Sequence, residues 1–257
     1  MKVVVGIPAR LGSTRFSRKP LCSILGMPMI EHVYRRCKLS RYANDVFVAC
    51  CEPEVETRVK QFGGMPIMTD PAIARPGLRV AVAVETLGLD DDDIVVVVQG
   101  DEPLVHPDMI DMAIQPLLDE PAEVFVSNMT KEATAQEWSD PNEIKVVTDL
   151  KMNAIYMSRS PIPSKNHQEQ PAIVWKQVCI IPFRWHFMKR FNRVLSPTPL
   201  ERAESIEMLR AIQHGYKVRM VPSNFVSKSV DNEHDRKVVE GIMKDDPLWG
   251  RYGGTSR

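Results

Sequence analysis

Ile94-Val95-Val96-Val97-Val98 is a run of five apolar β-branched residues with no polar side chain at any position. A strand with one face in water alternates apolar and polar. An unbroken run of this length is a strand buried on both faces, as in the middle of a parallel sheet. Val3-Val4-Val5-Gly6-Ile7 reads the same way. Between them, Met29 to Lys38 has helical spacing, with Ile30, Val33 and Tyr34 on one face. Asp45 to Cys50 is a strand. Glu54 to Phe62 is an amphipathic helix closed by Gly63-Gly64, a fitting C-terminal stop. Met65 to Thr69 is a third strand, and Leu78 to Leu87 a helix. The acidic run Asp90 to Asp93 reads as a solvated turn. Strand and helix alternate, so the expected fold class is α/β, a three-layer sandwich around a mostly parallel sheet.

The second half continues the alternation. Helix is expected from Pro107 to Leu118, then strand from Glu123 to Met129 and from Ala154 to Ser158. Ser164 to Pro171 is polar and irregular, and reads as a flap. One strand is expected from Trp175 to Arg184 and a helix from Trp185 to Val194. A single amphipathic helix from Leu200 to His214 would put Glu204 and Glu207, three apart, on one face. Strand follows from Lys217 to Pro222 and helix from Glu233 to Lys244. Residues 250–257 read as a disordered tail.

With 257 residues, the chain is long enough for one large α/β domain, residues 1–257, with or without a lobe. It carries 33 Lys and Arg against 33 Asp and Glu. That balance argues against a nucleic-acid partner, which calls for a basic excess. It leaves room for a local cationic pocket. No apolar run is long enough for a membrane partner, and no leader is visible. The five cysteines have no metal-ligand spacing, so a reduced cytoplasmic setting is expected.

The first strand runs into a loop carrying Arg10, Ser13, Arg15 and Lys19. In an open α/β sheet, ligands bind at the carboxyl ends of the strands. Three cations and a hydroxyl there suit a polyphosphate, through charge-assisted bonds to phosphate oxygens. A solvated basic loop is the plain alternative. No Walker spacing is present. The strand Ile94 to Val98 likewise ends in Gln99-Gly100-Asp101-Glu102-Pro103. A carboxylate just past a central strand is well placed to hold a cation, and Mg²⁺ takes one or two protein carboxylates beside waters and phosphates. Asp101 is the candidate ligand. The alternative is a turn that caps the next helix. No Ser-His-Asp order and no Cys/His cluster points to acyl transfer or zinc.

Ile7-Pro8-Ala9-Arg10, Ser13-Thr14-Arg15, Lys19-Pro20-Leu21 and Gly26-Met27-Pro28-Met29-Ile30-Glu31-His32-Val33 resemble the opening of the CMP-Kdo synthetases, the 3-deoxy-manno-octulosonate cytidylyltransferases. Gln99 to Pro103, Asp140 to Val147, Arg159 to Pro163 and Ser229 to Asp235 extend the resemblance to nearly the full chain. It implies a Rossmann-like nucleotidyltransferase fold and transfer of CMP from CTP to an acid, with release of pyrophosphate. It implies Mg²⁺ held by Asp101 and Asp231, and catalytic roles for Arg10 and Lys19. Pro8, Ala9, Arg10 and Arg79 carry over to the cytidine and its phosphates, with Gln99 between nucleotide and acceptor. Arg159 carries over to the acceptor's carboxylate, and the helix with Glu204 and Glu207 to sugar hydroxyls. A lobe of about residues 126–191 would bind acceptor and pair two subunits as a homodimer. Trp175, Ile180, Ile181 and Phe183 would serve such an interface or a core.

Three departures bear on the acceptor. The family's Ser-Gly-Thr-Asp/Glu-Arg appears as Arg75-Pro76-Gly77-Leu78-Arg79, which loses a hydroxyl and a carboxylate and gains the cation of Arg75. The family's His-x-Gly-x-Tyr appears as Gln177-Val178-Cys179-Ile180-Ile181, so two sugar contacts become Gln177 and Ile181. The segment between Pro163 and Trp175 is short. A site that loses hydrogen-bond partners for a sugar loses affinity for it steeply. The expected acceptor is therefore a small anionic acid, with a slight lean to a phosphonate such as phosphonoformate. Kdo or a modified Kdo is the alternative, and a non-catalytic nucleotide-binding module is a third reading.

Overall fold

The computed structural model describes residues 1–12, 16–164 and 173–253. The chain divides into two compact units, Met1–Asp111 with Phe225–Arg257, and Met112–Asn224. The sequence predicts one domain with a lobe of about residues 126–191. That stretch falls inside the second unit, which is wider at both ends.

In the first unit the strands Ile94–Val98, Val3–Pro8, Asp45–Cys50 and Pro66–Met68 lie side by side in that order, all parallel. Both continuous apolar runs are buried throughout. The helix Pro76–Val84 packs on them closely. A Cβ on Gly6 would meet Val80 at 2.5 Å and Phe47 at 2.6 Å, so the first strand carries glycine where this helix crosses. The helices Met29–Cys37 and Pro53–Gln61 follow the expected spans within a residue or so. The C-terminal stretch completes this unit. Val230, Val239 and Met243 share a core with Ile24, Met29 and Leu104.

The second unit holds a sheet in the order Arg219–Pro222, Ser127–Glu132, Trp175–Gln177, Lys145–Thr148, Ala154–Ser158. The first pair is parallel and the others antiparallel. A bridge between Asn153 and Arg219 joins the two outer strands.

Four expectations are corrected here. The strand expected over Glu123 to Met129 begins instead at Ser127 and ends at Glu132, because residues 120–124 form a turn closed by Val124 N–H on Glu120 O. The strand expected over Trp175 to Arg184 is two, Trp175–Gln177 and Ile180–Arg184. The Ile180 amide folds back on Val178 O at 2.7 Å, and Asn128 Nδ2 donates to the same carbonyl at 2.7 Å. The helix expected over Leu200 to His214 is also two, Pro199–Glu204 and Met208–Gln213. Ser205 between them is left-handed, with φ 55°. The break lets Ile206 turn inward and be buried, while Glu201 and Arg210 close a buried ion pair across it at 2.5 Å. Finally, Trp249–Tyr252 is a helical turn rather than tail, held by Tyr252 under Arg36. Residues 254–257 lie outside the described residues, as does most of the flap expected over Ser164 to Pro171.

Candidate active site

The first strand and the Ile94–Val98 strand are neighbours, so the segments that follow them emerge together. Gly100 makes this approach close. A Cβ there would sit 2.8 Å from Pro8 O, inside contact distance. A cavity of about 360 Å³ opens at this point. Pro8, Ala9, Arg10, Lys19, Arg79, Gln99 and Asp101 line it, seven residues named from the sequence. Ala74 and Pro76, on either side of Arg75, line it too. Arg75 itself caps the helix Pro76–Val84 by accepting the Arg79 amide on its carbonyl. Ser13 and Arg15 lie outside the described residues.

Lys19 is the centre of the site. It starts a short 3-10 turn, Lys19–Leu21, and its ammonium donates to Asp101 Oδ2 at 2.6 Å and to Asp231 Oδ1 at 2.8 Å. Two carboxylates far apart in sequence thus converge on one cation. Val230 N–H bonds Asp101 O at 3.0 Å, which ties the two segments by backbone. Asp235 Oδ2 accepts the Asp231 amide, and Asn232 caps the helix Glu233–Lys244 by accepting the Asp235 amide. Burial opposes the charge on Lys19, but the two carboxylates overcome it and hold its pKa above the ordinary lysine value.

Two hard oxygen donors facing one cation are the donor set that Mg²⁺ takes from proteins, and the ammonium stands where a cation is wanted. Among the described residues no cluster of three or more His, Cys, Asp or Glu could hold a metal. Phosphate oxygens and water would have to complete an octahedron here. The residues fit that mode of binding.

Arg79 lines the cavity, as expected of a nucleotide-binding residue, and it also braces the adjoining loop. Its side chain is 2 % exposed. Its guanidinium donates to Thr69 Oγ1 at 2.5 Å and to the carbonyls of Asp70 and Ile73. Sequence reasoning missed Glu52. Its Oε1 accepts the Leu11 amide at 2.9 Å, while Glu54 on the same helix end pairs with Arg18. Both glutamates follow the Asp45–Cys50 strand, so their place beside the first loop is a consequence of parallel pairing.

In the second unit, Glu204 and Arg159 come together. Glu204 accepts from Ser158 Oγ at 2.6 Å, Tyr156 OH at 3.0 Å and the Arg159 amide at 2.8 Å. Burial works against its charge, but these donors hold its pKa below the usual glutamate value. Arg159 Nε donates to Glu204 O at 2.9 Å, and Nη1 to the carbonyls of Pro141 and Asn142 at 3.3 Å. Lys145, fully buried, donates to the carbonyls of Asp140, Glu143 and Arg159. Glu207 does not share a helical face with Glu204, because the helix breaks between them. Gln177 donates to Asn128 Oδ1. Ile181 is half-buried on its strand. Ile180 and Phe183 are buried within the chain, so these two are core.

A model of the cytidylyltransferase family matches residues 4–219. The chain belongs to that family. Within it, an 8-amino-3,8-dideoxy-manno-octulosonate cytidylyltransferase of Shewanella woodyi is 38 % identical over 95 % of this chain and 99 % of its own. A 3-deoxy-manno-octulosonate cytidylyltransferase of Geotalea uraniireducens is 36 % identical over 95 % of this chain and all of its own. The solved structure of a CMP:2-keto-3-deoxy-manno-octonic acid synthetase complexed with CTP superposes with a TM-score of 0.87 at 33 % identity, covering 95 % of this chain and 99 % of that one. The enzyme is thus a nucleotidyltransferase of the CMP-Kdo synthetase type, with the Rossmann-like fold of that group. No helix among its described residues is long and apolar enough to cross a membrane.

Proposed function

We propose that this cytidylyltransferase moves CMP from CTP to an acidic sugar of the 3-deoxy-octulosonate class, with Mg²⁺, and releases pyrophosphate. The observation that carries the reading is Lys19 held between Asp101 and Asp231 at a cavity lined by Arg10 and Gln99. Pro8 and Ala9 offer strand-end backbone to a base or ribose. Arg10 and Lys19 offer the charge that a leaving pyrophosphate needs, in a site partly shielded from water where such charge counts for more. Asp101 and Asp231 would hold Mg²⁺, which when bound neutralises phosphate charge and lowers the pKa of the attacking oxygen. Arg159, steadied by Glu204 and by the Lys145 carbonyl cage, is offered to the acceptor's carboxylate. Glu204 keeps its place toward hydroxyl groups through Ser158 and Tyr156. Among the described side chains none stands out as a general base. Alignment of the acceptor with the α-phosphorus is then the main source of rate.

The names of the relatives weigh toward Kdo or its 8-amino form as acceptor. Gln177 and Ile181 favour a second reading, a smaller and more highly charged acid such as phosphonoformate. Gln177, turned to Asn128, and the apolar Ile181 then stand in place of two sugar contacts, and Arg75 adds a cation. The purified enzyme, given CTP, Mg²⁺ and each acid in turn, should release pyrophosphate fastest with a 3-deoxy-octulosonate. Turnover confined to phosphonoformate would reverse the order of the two readings. Asp101→Ala should lower turnover by about a thousandfold or more and leave the far-UV circular dichroism unchanged. Pyrophosphate release that never rises above background with any acid would leave a nucleotide-binding module. Assembly as a homodimer belongs to the same reading. It is supported by the exposed Ile155 and Leu150 of the second unit, and sedimentation velocity tests it.

A further inference from the structure

We propose that Lys19 is an internal counter-ion that occupies the metal's seat until nucleotide arrives, so that the divalent cation enters only together with a triphosphate. The inference rests on the reading of Asp101 and Asp231 as metal ligands. The lysine and the metal compete for the same carboxylate oxygens. The ammonium lies 2.6 Å from Asp101 Oδ2 and 2.8 Å from Asp231 Oδ1. A magnesium ion needs carboxylate oxygens at about 2.1 Å. It cannot take these two while a lysine nitrogen stands at hydrogen-bond distance between them. Its own positive charge would also be opposed at close range by the ammonium.

A bound triphosphate would move Lys19. Its side chain lines the cavity beside Arg10 and Gln99, so a triphosphate there would offer the ammonium oxygens as good as those it leaves. The backbone need not follow. Leu21 N–H is held by Arg18 O and Cys22 N–H by Lys19 O, and Pro20 stiffens the turn. The motion is therefore a rotation of a flexible four-carbon stem about a fixed root. Charge stays balanced throughout: the lysine goes to the phosphates while the metal goes to the carboxylates. Without nucleotide, the two carboxylates never face each other unscreened. One residue would thus satisfy the site at rest and bind the leaving group at work, and metal and nucleotide would bind as one.

The test is Mn²⁺ binding to the full-length enzyme without nucleotide, followed by loss of the free Mn²⁺ electron paramagnetic resonance signal. Lys19→Met should bind Mn²⁺ about tenfold or more tighter than the wild type, and Lys19→Arg, which keeps the charge, should stay close to wild type. Adding Asp101→Asn to Lys19→Met should cancel the gain, which locates the metal at these carboxylates. Should Lys19→Met lose its near-UV circular dichroism, Lys19→Gln carries the same expectation with an N–H donor retained. Coincident titrations for wild type and the folded neutral variant overturn the inference, whether both bind or neither does. If the wild type nonetheless releases pyrophosphate in a Mg²⁺-dependent way, the proposed function stands while this inference falls. If Asp101→Asn keeps full turnover, it is the metal reading itself that fails.

Discussion

Arg79 is an instructive single residue, because it lines the cavity and also braces the loop that forms one of its walls. Its guanidinium holds Thr69, Asp70 and Ile73 on one side of the cavity. A planar fork reaches several acceptors at fixed angles, and an ammonium does not. Arg79→Lys should therefore raise the KM for CTP several-fold with a smaller change in kcat, and should cost about 1–3 kcal/mol of stability through buried carbonyls left unpaired. Steady-state kinetics and thermal unfolding measure the two effects separately. Equal losses in kcat and kcat/KM would mean that the guanidinium acts on the reacting phosphates instead. Gly100 is the second such position. Gly100→Ala puts a Cβ against Pro8 O and Ile30, and Pro8 lines the cavity. Relieving that overlap should cost about 1–3 kcal/mol, seen as a lower Tm with a raised KM for CTP.

At the scale of elements, what the residues announce depends on whether their partners are near in sequence. The central strands are legible because a continuous apolar run has one sensible home. The helices Met29–Cys37 and Pro53–Gln61 are legible because their periodicity and stops are local. The broken elements are not, since each break is imposed from a distance. Asn128 reaches across about fifty residues to the carbonyl that interrupts the 175–184 stretch. Ser205 takes a left-handed backbone so that Glu204 and Ile206 can face separate surroundings. Asp231 joins Lys19 only through the fold, and the resemblance alone pointed to it. The helical turn Trp249–Tyr252 escaped notice for the same reason: its anchor, the helix Met29–Cys37, lies more than two hundred residues earlier.

That anchor gives a pH prediction. His32 is fully buried, with Nε2 at 2.8 Å from Ile24 O and Nδ1 at 3.1 Å from Tyr252 OH. A carbonyl only accepts, so Nε2 carries the proton and Nδ1 accepts from the tyrosine. A second proton would break that bond. Burial is the main cause that pushes the His32 pKa down to about 4. The unfolded chain therefore takes up a proton that the folded one refuses between the ordinary value of 6.5 and about 4. Stability from this site is complete above the unfolded value and declines as pH falls through that window. Thermal unfolding should show a Tm that drops across it. His32→Gln should flatten the drop and lower the Tm at neutral pH. A wild-type Tm indifferent to pH over that range would contradict the assignment.

For the whole molecule, the first unit is built from the two ends of the chain, and this has a consequence for truncation. Residues 225–257 are not an appendage to a finished body. Val230, Val239 and Met243 are fully buried against Ile24, Met29 and Leu104. Each such side chain contributes about 1.5–3 kcal/mol by leaving water. Arg36, itself without exposure, pairs with Asp246 at 2.6 Å and donates to Tyr252. Losing both partners leaves a buried guanidinium uncompensated, a cost of about 3–5 kcal/mol. These terms together match the whole stability of an ordinary domain, about 5–15 kcal/mol. A chain ending at Asn224 should therefore lose the first unit as a folded body, and should not merely lose activity through the absence of Asp231. The point substitution Asp231→Asn provides the contrast: it should be inactive and folded. Hydrogen exchange separates the cases. In the truncated chain the amides of Val3–Pro8 and Ile94–Val98 should exchange within seconds, and in Asp231→Asn they should remain as protected as in the intact enzyme. Protected amides in the truncated chain would mean that the parallel sheet stands without its C-terminal cover, and that the core shared by the two chain ends adds far less than its burial implies.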